Sequence, residues 1–158
     1  MSGILNSLSV AVTDGSDARE QGCTTASKKG RAEVPHEVMT GRRVLLVEDS
    51  WLIAQGYKTV LEMSGVQVIG PAANIEDSEE LLLAHVPDLA IVDIDLDGVM
   101  TYGLIETLLA RDIPVVVISG NAVRPSVAAR VDLVLSKPVG GAALLSALRR
   151  VAAARHFR

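Results

Sequence analysis

The stretch Pro-Asp-Leu-Ala-Ile-Val-Asp, residues 87–93, decides the fold of this 158-residue chain. Pro87 and Asp88 open the stretch, four apolar residues follow at 89–92 without interruption, and Asp93 closes it. A strand with one face in water would alternate apolar and polar residues, whereas an unbroken apolar run indicates a strand buried on both faces. The stretch therefore predicts a central strand of a parallel sheet with a carboxylate at its carboxyl end.

Four further apolar runs lie on either side of this stretch, at residues 44–47, 66–69, 115–118 and 131–135. Segments with the apolar spacing of helices lie between the runs. Ser50 is expected to cap the first helix, and Asn74 or Asp77 to open the second. Pro125 limits the fourth helix to a few residues. Five strands alternating with five helices predict a doubly wound α/β fold, in which helices cover both faces of a five-stranded parallel sheet.

Polar side chains stand at the carboxyl ends of four of the five predicted strands. They are Glu48 and Asp49 after the first strand, Asp93 after the third, Ser119 after the fourth and Lys137 after the fifth. Parallel α/β sheets bind their ligands beyond these strand ends. We therefore expect the five side chains to meet at one edge of the sheet.

The residue types at this edge suit phosphoryl transfer. Three carboxylates held close together repel one another, and a divalent cation relieves that repulsion. Oxygen ligands of this kind favour Mg²⁺. Lys137 adds a positive charge and Ser119 a hydroxyl donor, and charge neutralisation with positioning makes up most of the catalysis of phosphoryl transfer. A carboxylate beside the metal can also act as the nucleophile and form an aspartyl phosphate.

Four short motifs make the chain resemble the receiver domain of response regulators from bacterial two-component pathways. They are Val-Glu-Asp-Ser at 47–50, Pro-Asp-Leu-Ala-Ile-Val-Asp at 87–93, Ile-Ser-Gly at 118–120 and Ser-Lys-Pro at 136–138. Each motif alone is weakly specific, but all four occur in order, each closing the appropriate strand. The match covers roughly residues 42–150. The sequence is most similar to single-domain receivers of alphaproteobacteria. The resemblance implies a flavodoxin-like topology.

The resemblance implies a phosphoacceptor and a magnesium site. Asp93 would accept a phosphoryl group from a sensor histidine kinase or a histidine phosphotransfer protein. Glu48 and Asp49 would hold Mg²⁺ together with Asp93, and Asp95 would contribute its backbone carbonyl.

The resemblance also implies roles for Lys137 and Ser119. Lys137 would contact the phosphoryl group, Ser119 would move toward it on activation, and the peptide bond before Pro138 would be cis. Two features depart from the family pattern. The position three residues before the lysine is usually aromatic and is Val134 here, and the segment between Ser119 and Lys137 is about one helical turn shorter than typical, so we expect an irregular fourth helix.

Two other interpretations are open at this point. Asp-Leu-Asp-Gly-Val at 95–99 also resembles the first motif of haloacid-dehalogenase-type magnesium-dependent phosphatases. In those enzymes the second acidic pair follows the lysine, whereas here Glu48 and Asp49 precede the nucleophile and no acidic residue follows Lys137. The other interpretation is a receiver-like module that never takes phosphate, which the complete set of site residues argues against.

Composition narrows the class of protein further. Hydrophobic residues make up 49% of the chain and aromatic residues 3%, which predicts an aliphatic core. The net charge of −4 and the lack of a clustered basic surface argue against nucleic-acid binding. A single cysteine, Cys23, leaves no internal disulfide and fits a reducing cytoplasmic setting. No apolar run approaches the length that crosses a membrane.

The chain divides into two parts by texture. Residues 1–40 are rich in small and polar residues without a helical or strand period, which predicts a flexible N-terminal extension. Residues 41–158 form the predicted receiver domain. The residues after the predicted last helix are few, so we expect no attached output domain. We therefore expect a switch rather than an enzyme, with only self-phosphorylation and self-dephosphorylation chemistry, acting through a downstream protein, a further phosphorelay acceptor or a homodimer.

Overall fold

The computed structural model describes residues 36–155, so residues 1–35 of the predicted extension and the last three residues lie outside the described part. The strands are β1 (Arg43–Val47), β2 (Gln67–Ala72), β3 (Leu89–Asp93), β4 (Asp95–Leu96), β5 (Val99–Met100), β6 (Val115–Ser119) and β7 (Leu133–Ser136). The helices are α1 (Trp51–Met63), α2 (Ile75–Ala84), α3 (Tyr102–Ala110), α4 (Pro125–Ala128) and α5 (Gly141–Arg155), after a 3-10 helix at His36–Met39. None of the helices within 36–155 is long and apolar enough to span a membrane.

The five longer strands form one parallel sheet in the order β2-β1-β3-β6-β7, which confirms the predicted doubly wound α/β fold. The chain moves outward from β1 to β2 and then returns past β1 to β3. This reversal of strand order opens a crevice between the carboxyl ends of β1 and β3, where sheets of this order bind their ligands. The topology therefore places the ends of these two strands, at Glu48 and Asp93, at the natural site of the fold.

The core consists of two aliphatic layers, one on each face of the sheet. Alternate residues of one strand enter opposite layers, since successive side chains point to opposite faces. In β1, Leu45 packs in the layer that contains Leu108 of α3, while Leu46 packs in the layer that contains Leu148 of α5. All four side chains are at most 1% exposed. Strands buried on both faces explain the unbroken apolar runs of the sequence.

The first two helix starts differ in how they are capped. Ser50 occupies the cap position of α1, but its side chain makes no capping hydrogen bond within the described chain. Its backbone N–H instead donates to Oε1 of Glu48, at 3.3 Å. Asn74 caps α2 as predicted, because its side-chain oxygen accepts the backbone N–H of Asp77 at 2.8 Å. Asn74 and not Asp77 therefore opens the second helix.

The last strand begins two residues later than the apolar run from residue 131 predicts. Val131 still belongs to the turn after α4, because its N–H donates to the carbonyl of Val127 at 3.1 Å. Asp132 then bonds to Val115, the first residue of β6. Helix α4 is a single turn that begins at Pro125, which confirms the expected short fourth helix.

Residues 36–40 of the predicted extension lie within the described part of the chain. Met39 ends the 3-10 helix there and is only 1% exposed. Its side chain packs in the same apolar cluster as Leu148 and Val151 of α5. Met39 is therefore a core residue of the sheet-containing part of the chain.

Candidate functional site

Three carboxylates meet at the carboxyl ends of β1 and β3, as the sequence predicts. Glu48 and Asp49 follow β1 directly, and Asp93 is the last residue of β3. One carboxylate oxygen from each lies within 4.8 Å of the others. Glu48 and Asp93 are 2% and 3% exposed, whereas Asp49 is the more accessible member of the cluster. The cluster is thus open to small molecules on the side of Asp49 and closed toward the core.

Lys137 brings the positive charge to this cluster. Its ammonium nitrogen lies 2.5 Å from Oδ2 of Asp93 and 3.4 Å from Oε2 of Glu48. Its backbone N–H donates to the carbonyl of Ser119 at 2.8 Å, which fixes the segment after β7 against the end of β6. Partial burial alone would lower the pKa of Lys137, but the hydrogen bond and charge of Asp93 and the charge of Glu48 outweigh it and raise that pKa. Lys137 therefore stays positively charged at neutral pH.

The environment of Glu48 disfavours the charged form of its carboxylate. Burial first, and then the negative charge of Asp93, raise the pKa of Glu48 above its ordinary value. Its Oε2 atom is buried and accepts no hydrogen bond from any described residue, although the ammonium of Lys137 is within ion-pair distance. Buried oxygens of this kind are normally satisfied. An unsatisfied carboxylate oxygen that faces two other carboxylates fits the ligand set of a hard divalent cation such as Mg²⁺.

Ser119 lies at the end of β6 and is 2% exposed. Its hydroxyl donates to the carbonyl of Asn121 at 2.6 Å and accepts the N–H of Asn121 at 3.1 Å. The structure therefore brings Ser119 to the expected edge of the sheet with its hydroxyl engaged inside the loop that leads to α4.

Asp95 presents its backbone, and not its side chain, to the acidic cluster. Its N–H points to Oδ1 of Asp93 at 3.3 Å, while its own carboxylate accepts the N–H of Gly98 at 2.7 Å. In an extended residue the N–H and the carbonyl lie on the same edge of the chain. The carbonyl of Asp95 is therefore expected on the same edge as its N–H, and its role as a metal ligand stays a prediction.

A hairpin between β3 and α3 was missed by sequence reasoning. Strands β4 and β5 pair in antiparallel fashion around Asp97-Gly98, and both turn residues have positive φ angles of 50° and 86°. An Asp-Gly pair between apolar residues is a hairpin signal, so the sequence did contain the information. The hairpin also explains why Asp97 is an exposed turn residue.

Thr101 was also missed, and the sequence carries no signal for its role. It is fully buried, at 0% exposure. Its hydroxyl donates to the backbone carbonyl of Asp93 at 2.8 Å. Its N–H donates to the carbonyl of Ile94 at 3.0 Å. Thr101 thus holds the backbone at the end of β3.

An open cavity of about 670 Å³ lies beside the acidic cluster, between α1 and the segment after β7. Tyr57 and Lys137 both line it, and most of the remaining wall is apolar. Burial, followed by the charge of Glu48, raises the pKa of Tyr57 above its ordinary value. The ring of Tyr57 also packs in the core cluster that contains Leu46, so this residue belongs both to the core and to the wall of the cavity.

The fold and the site define a class: a flavodoxin-like α/β protein with a lysine-paired acidic cluster at its topological switch point. A family model described as the response regulator receiver domain matches residues 44–149. The chain belongs to the response regulator receiver domain family. The haloacid-dehalogenase alternative is not supported, because the receiver family model covers the site, residues 95–99 lie within the hairpin, and strand β3 ends at Asp93.

Among curated proteins, the transcriptional regulatory protein PdtaR of Mycobacterium tuberculosis is 33% identical over 86 residues. That match covers 52% of this chain and 41% of PdtaR, so the chain spans less than half of the length of this relative.

Solved structures agree with the fold. A CheY-like receiver domain from Methanospirillum hungatei gives a TM-score of 0.67 at 24% identity, over 74% of this chain and 98% of that one. The response regulator PhyR from Brucella abortus gives 0.65 at 22% identity, over 76% of this chain and 52% of that one. At these identities the two structures bear on the fold alone.

Proposed function

We propose that the chain is a phosphorylation-controlled switch of a two-component or phosphorelay pathway, with Asp93 as the phosphoacceptor. One observation carries the proposal: the nearly buried carboxylate of Asp93 ends the central strand, in contact with the ammonium of Lys137 and beside two further carboxylates. This is the charge arrangement that an acyl phosphate needs, because it neutralises a phosphoryl group where it forms.

The proposed reaction is a transfer between two nucleophiles. A carboxylate oxygen of Asp93 attacks the phosphorus of a phosphohistidine, an oxygen–phosphorus bond forms, and the phosphorus–nitrogen bond breaks with its electrons going to the imidazole. The imidazole then takes a proton from water. Lys137 lies against Oδ2 of Asp93 and would move to an oxygen of the phosphoryl group, where its charge offsets the added negative charge.

Mg²⁺ is the cation that the acidic cluster fits, with carboxylates from Glu48, Asp49 and Asp93 and the backbone carbonyl of Asp95 as its protein ligands. The unsatisfied Oε2 of Glu48 supports this assignment. When bound, Mg²⁺ would neutralise charge on the phosphoryl oxygens and on the carboxylates around Asp93.

Ser119 is proposed to respond to the phosphoryl group. Its hydroxyl now donates to the carbonyl of Asn121, and a phosphoryl oxygen on Asp93 would offer a stronger, charged acceptor. Rotation of the hydroxyl would release the bond to Asn121 and so loosen the loop that leads to α4. That change would carry the signal to the surface formed by α4, β7 and α5.

The proposed partners follow from the family. A sensor histidine kinase or a histidine phosphotransfer protein would supply the phosphoryl group in the cytoplasm. A downstream protein, a further phosphorelay acceptor or a second copy of the chain would receive the signal. Within the chain, residues 41–158 are proposed as the receiver and residues 1–40 as an extension to it.

Intact-mass measurement tests the proposed function directly. The protein is incubated with Mg²⁺ and excess acetyl phosphate, and we expect a mass gain of one phosphoryl group in the wild type. Asp93→Asn should show no gain, while Asp97→Asn, an exposed aspartate of the nearby hairpin turn, should behave like the wild type. A wild type that gains no mass would favour the phosphate-independent module instead. Steady hydrolysis of simple phosphate esters would favour a phosphatase.

A further inference from the structure

The carbonyl of Asp93 lies where the hydrogen-bond ladders on both sides of β3 end. The ladder between β1 and β3 ends at the pair Val47–Val92, one residue before Asp93. On the other side, the ladder with β6 ends as the N–H of Ile94 donates to the carbonyl of Ile118 at 2.9 Å. Beyond this point the chain leaves the sheet and enters the hairpin. The backbone of Asp93 therefore needs support from outside the sheet.

Thr101 supplies that support from the far side of the hairpin. Its hydroxyl and its N–H bind the carbonyls of Asp93 and Ile94, two consecutive residues. Its own carbonyl accepts the N–H of Ile105 at 3.0 Å, the first bond of helix α3. One fully buried residue thus ties the end of the acceptor strand to the start of a helix.

We infer that Thr101 is a positioning residue for the phosphoacceptor, acting through its hydroxyl bond to the carbonyl of Asp93. This inference rests on the proposed function of Asp93. The hydroxyl bond restrains the backbone that carries the Asp93 carboxylate, so it sets where the two oxygens lie relative to Lys137 and Glu48. A small displacement of a reacting atom costs one to two orders of magnitude in rate, which makes such a restraint measurable.

Because Thr101 is fully buried, water cannot replace its hydroxyl, so the bond to Asp93 depends on which side chain occupies position 101. A Val there has nearly the same shape as Thr but leaves the carbonyl of Asp93 without its donor, whereas Ser keeps the donor. Ser78 of α2 provides a matched control, since it is also 0% exposed and its hydroxyl also donates to a backbone carbonyl, that of Asn74 at 2.7 Å. Ser78→Ala therefore removes a buried hydroxyl bond at a position that contacts a helix cap and not the acceptor strand.

The experiment compares the wild type with Thr101→Val, Thr101→Ser and Ser78→Ala in two assays. The first is the rate of mass gain with Mg²⁺ and acetyl phosphate, and the second is Mg²⁺ affinity from the fluorescence of Trp51, two residues after Asp49. We expect Thr101→Val to be slower by about tenfold and to bind Mg²⁺ more weakly. Thr101→Ser and Ser78→Ala should each stay within about twofold of the wild type, since neither disturbs the donor to Asp93.

The controls separate positioning from a general loss of stability. A loss of rate in Ser78→Ala equal to that in Thr101→Val overturns the inference, and so does a failure of Thr101→Ser to retain the rate. A wild type that gains no phosphate overturns the proposed function instead. In that case the Mg²⁺ titration still decides about Thr101, because equal affinities in the wild type and Thr101→Val would overturn its positioning role.

Discussion

The ammonium of Lys137 lies 2.5 Å from Oδ2 of Asp93, although the two residues are 44 positions apart in the chain. Adjacent parallel strands do not produce this contact, because β6 separates β3 from β7 in the sheet. Lys137 reaches across the end of β6 to the end of β3. The side chain of Lys137 keeps 28% of its surface exposed while that of Asp93 keeps 3%, so the lysine forms a partial cover over the carboxylate.

Replacing Lys137 by an uncharged residue is expected to affect metal binding and phosphoryl transfer in different ways. Lys137→Met is expected to bind Mg²⁺ at least as tightly as the wild type, because the ammonium no longer competes for the carboxylates of Asp93 and Glu48. It should nevertheless gain phosphate from acetyl phosphate about a hundredfold more slowly, since a charged donor to the phosphoryl oxygens is lost. Trp51 fluorescence and intact mass measure the two effects. Lys58→Met, on α1, is the control, and weaker Mg²⁺ binding by Lys137→Met would contradict the prediction.

The buried carboxyl of Glu48 predicts a dependence of stability on pH in EDTA. Its folded pKa is raised above the ordinary value of 4.5 by burial and by the charge of Asp93. The contribution of Glu48 to stability is therefore present below pH 4.5 and is lost as the pH rises through the raised pKa.

Glu48→Gln cannot ionise at this position and should avoid that loss. Its free energy of unfolding relative to the wild type is expected to increase as the pH rises across this window, in urea titrations with EDTA present. Glu62→Gln, an exposed carboxyl of α1, should show no such trend. A difference between Glu48→Gln and the wild type that is independent of pH would contradict the electrostatic explanation.

Asp132 joins three elements at the amino-terminal edge of the sheet. Its Oδ2 accepts the N–H of Val115, the first residue of β6, at 2.9 Å, and its Oδ1 accepts Nε of Arg155 from α5 at 2.8 Å. Asp132→Asn presents an amide donor to one of these two donors, so we expect a loss of about 1–3 kcal/mol in the free energy of unfolding. Chemical denaturation measures the loss.

Asp112 is the matched control for Asp132, because it also contacts Arg155, at 2.9 Å, but has a side chain that is 93% exposed. Asn retains the acceptor oxygen and tolerates the positive φ of 56° at this position. Asp112→Asn should therefore change stability much less than Asp132→Asn. Equal effects of the two substitutions would show that the hydrogen bond from the N–H of Val115 to Asp132 adds no stability beyond that of the ion pair with Arg155.

Tyr102 and Arg124 connect α3 with the start of α4. The guanidinium carbon of Arg124 lies 4.1 Å from the centroid of the Tyr102 ring, and Tyr102 directly follows Thr101. Such a contact at a partly exposed position is worth about 0.5–1 kcal/mol. Tyr102→Leu is expected to raise amide hydrogen exchange in residues 121–130 while leaving exchange in α2 unchanged. Unaltered exchange in residues 121–130 would show that the ring does not restrain α4.

The same contact bears on how phosphorylation is read out when Val134 replaces the usual aromatic residue. Val134 is half-buried and packs against the apolar layer on its face of the sheet. Tyr102 on α3 packs against the same apolar layer, and its ring contacts Arg124, the residue that caps α4. Phosphorylation followed by hydrogen exchange on the wild type and Tyr102→Leu should therefore show a smaller change in residues 121–130 for the variant.

The strands of the sheet and the polar residues that follow them could be predicted, because each strand is marked by a local apolar run. Residues 89–92 form an unbroken apolar run that is typical of a strand buried on both faces, and the polar residue that follows it is expected at the edge of the sheet. The start of β7 could not be predicted from its apolar run, since Val131 is apolar but bonds back to the turn after α4. Met39 was likewise placed in a flexible segment because one buried side chain leaves no periodic pattern.

The sequence by itself determined which residue types stand at the strand ends, because the apolar runs that mark the strands are local patterns in short segments of chain. Tertiary structure alone decided which oxygen Lys137 approaches, that Oε2 of Glu48 lacks a hydrogen bond within the described chain, and that Thr101 holds the carbonyl of Asp93. Each of these depends on the distance between atoms that are brought together only when the sheet and its helices pack. A hydrogen bond extends over about 3 Å, so no pattern of residue spacing could have supplied it.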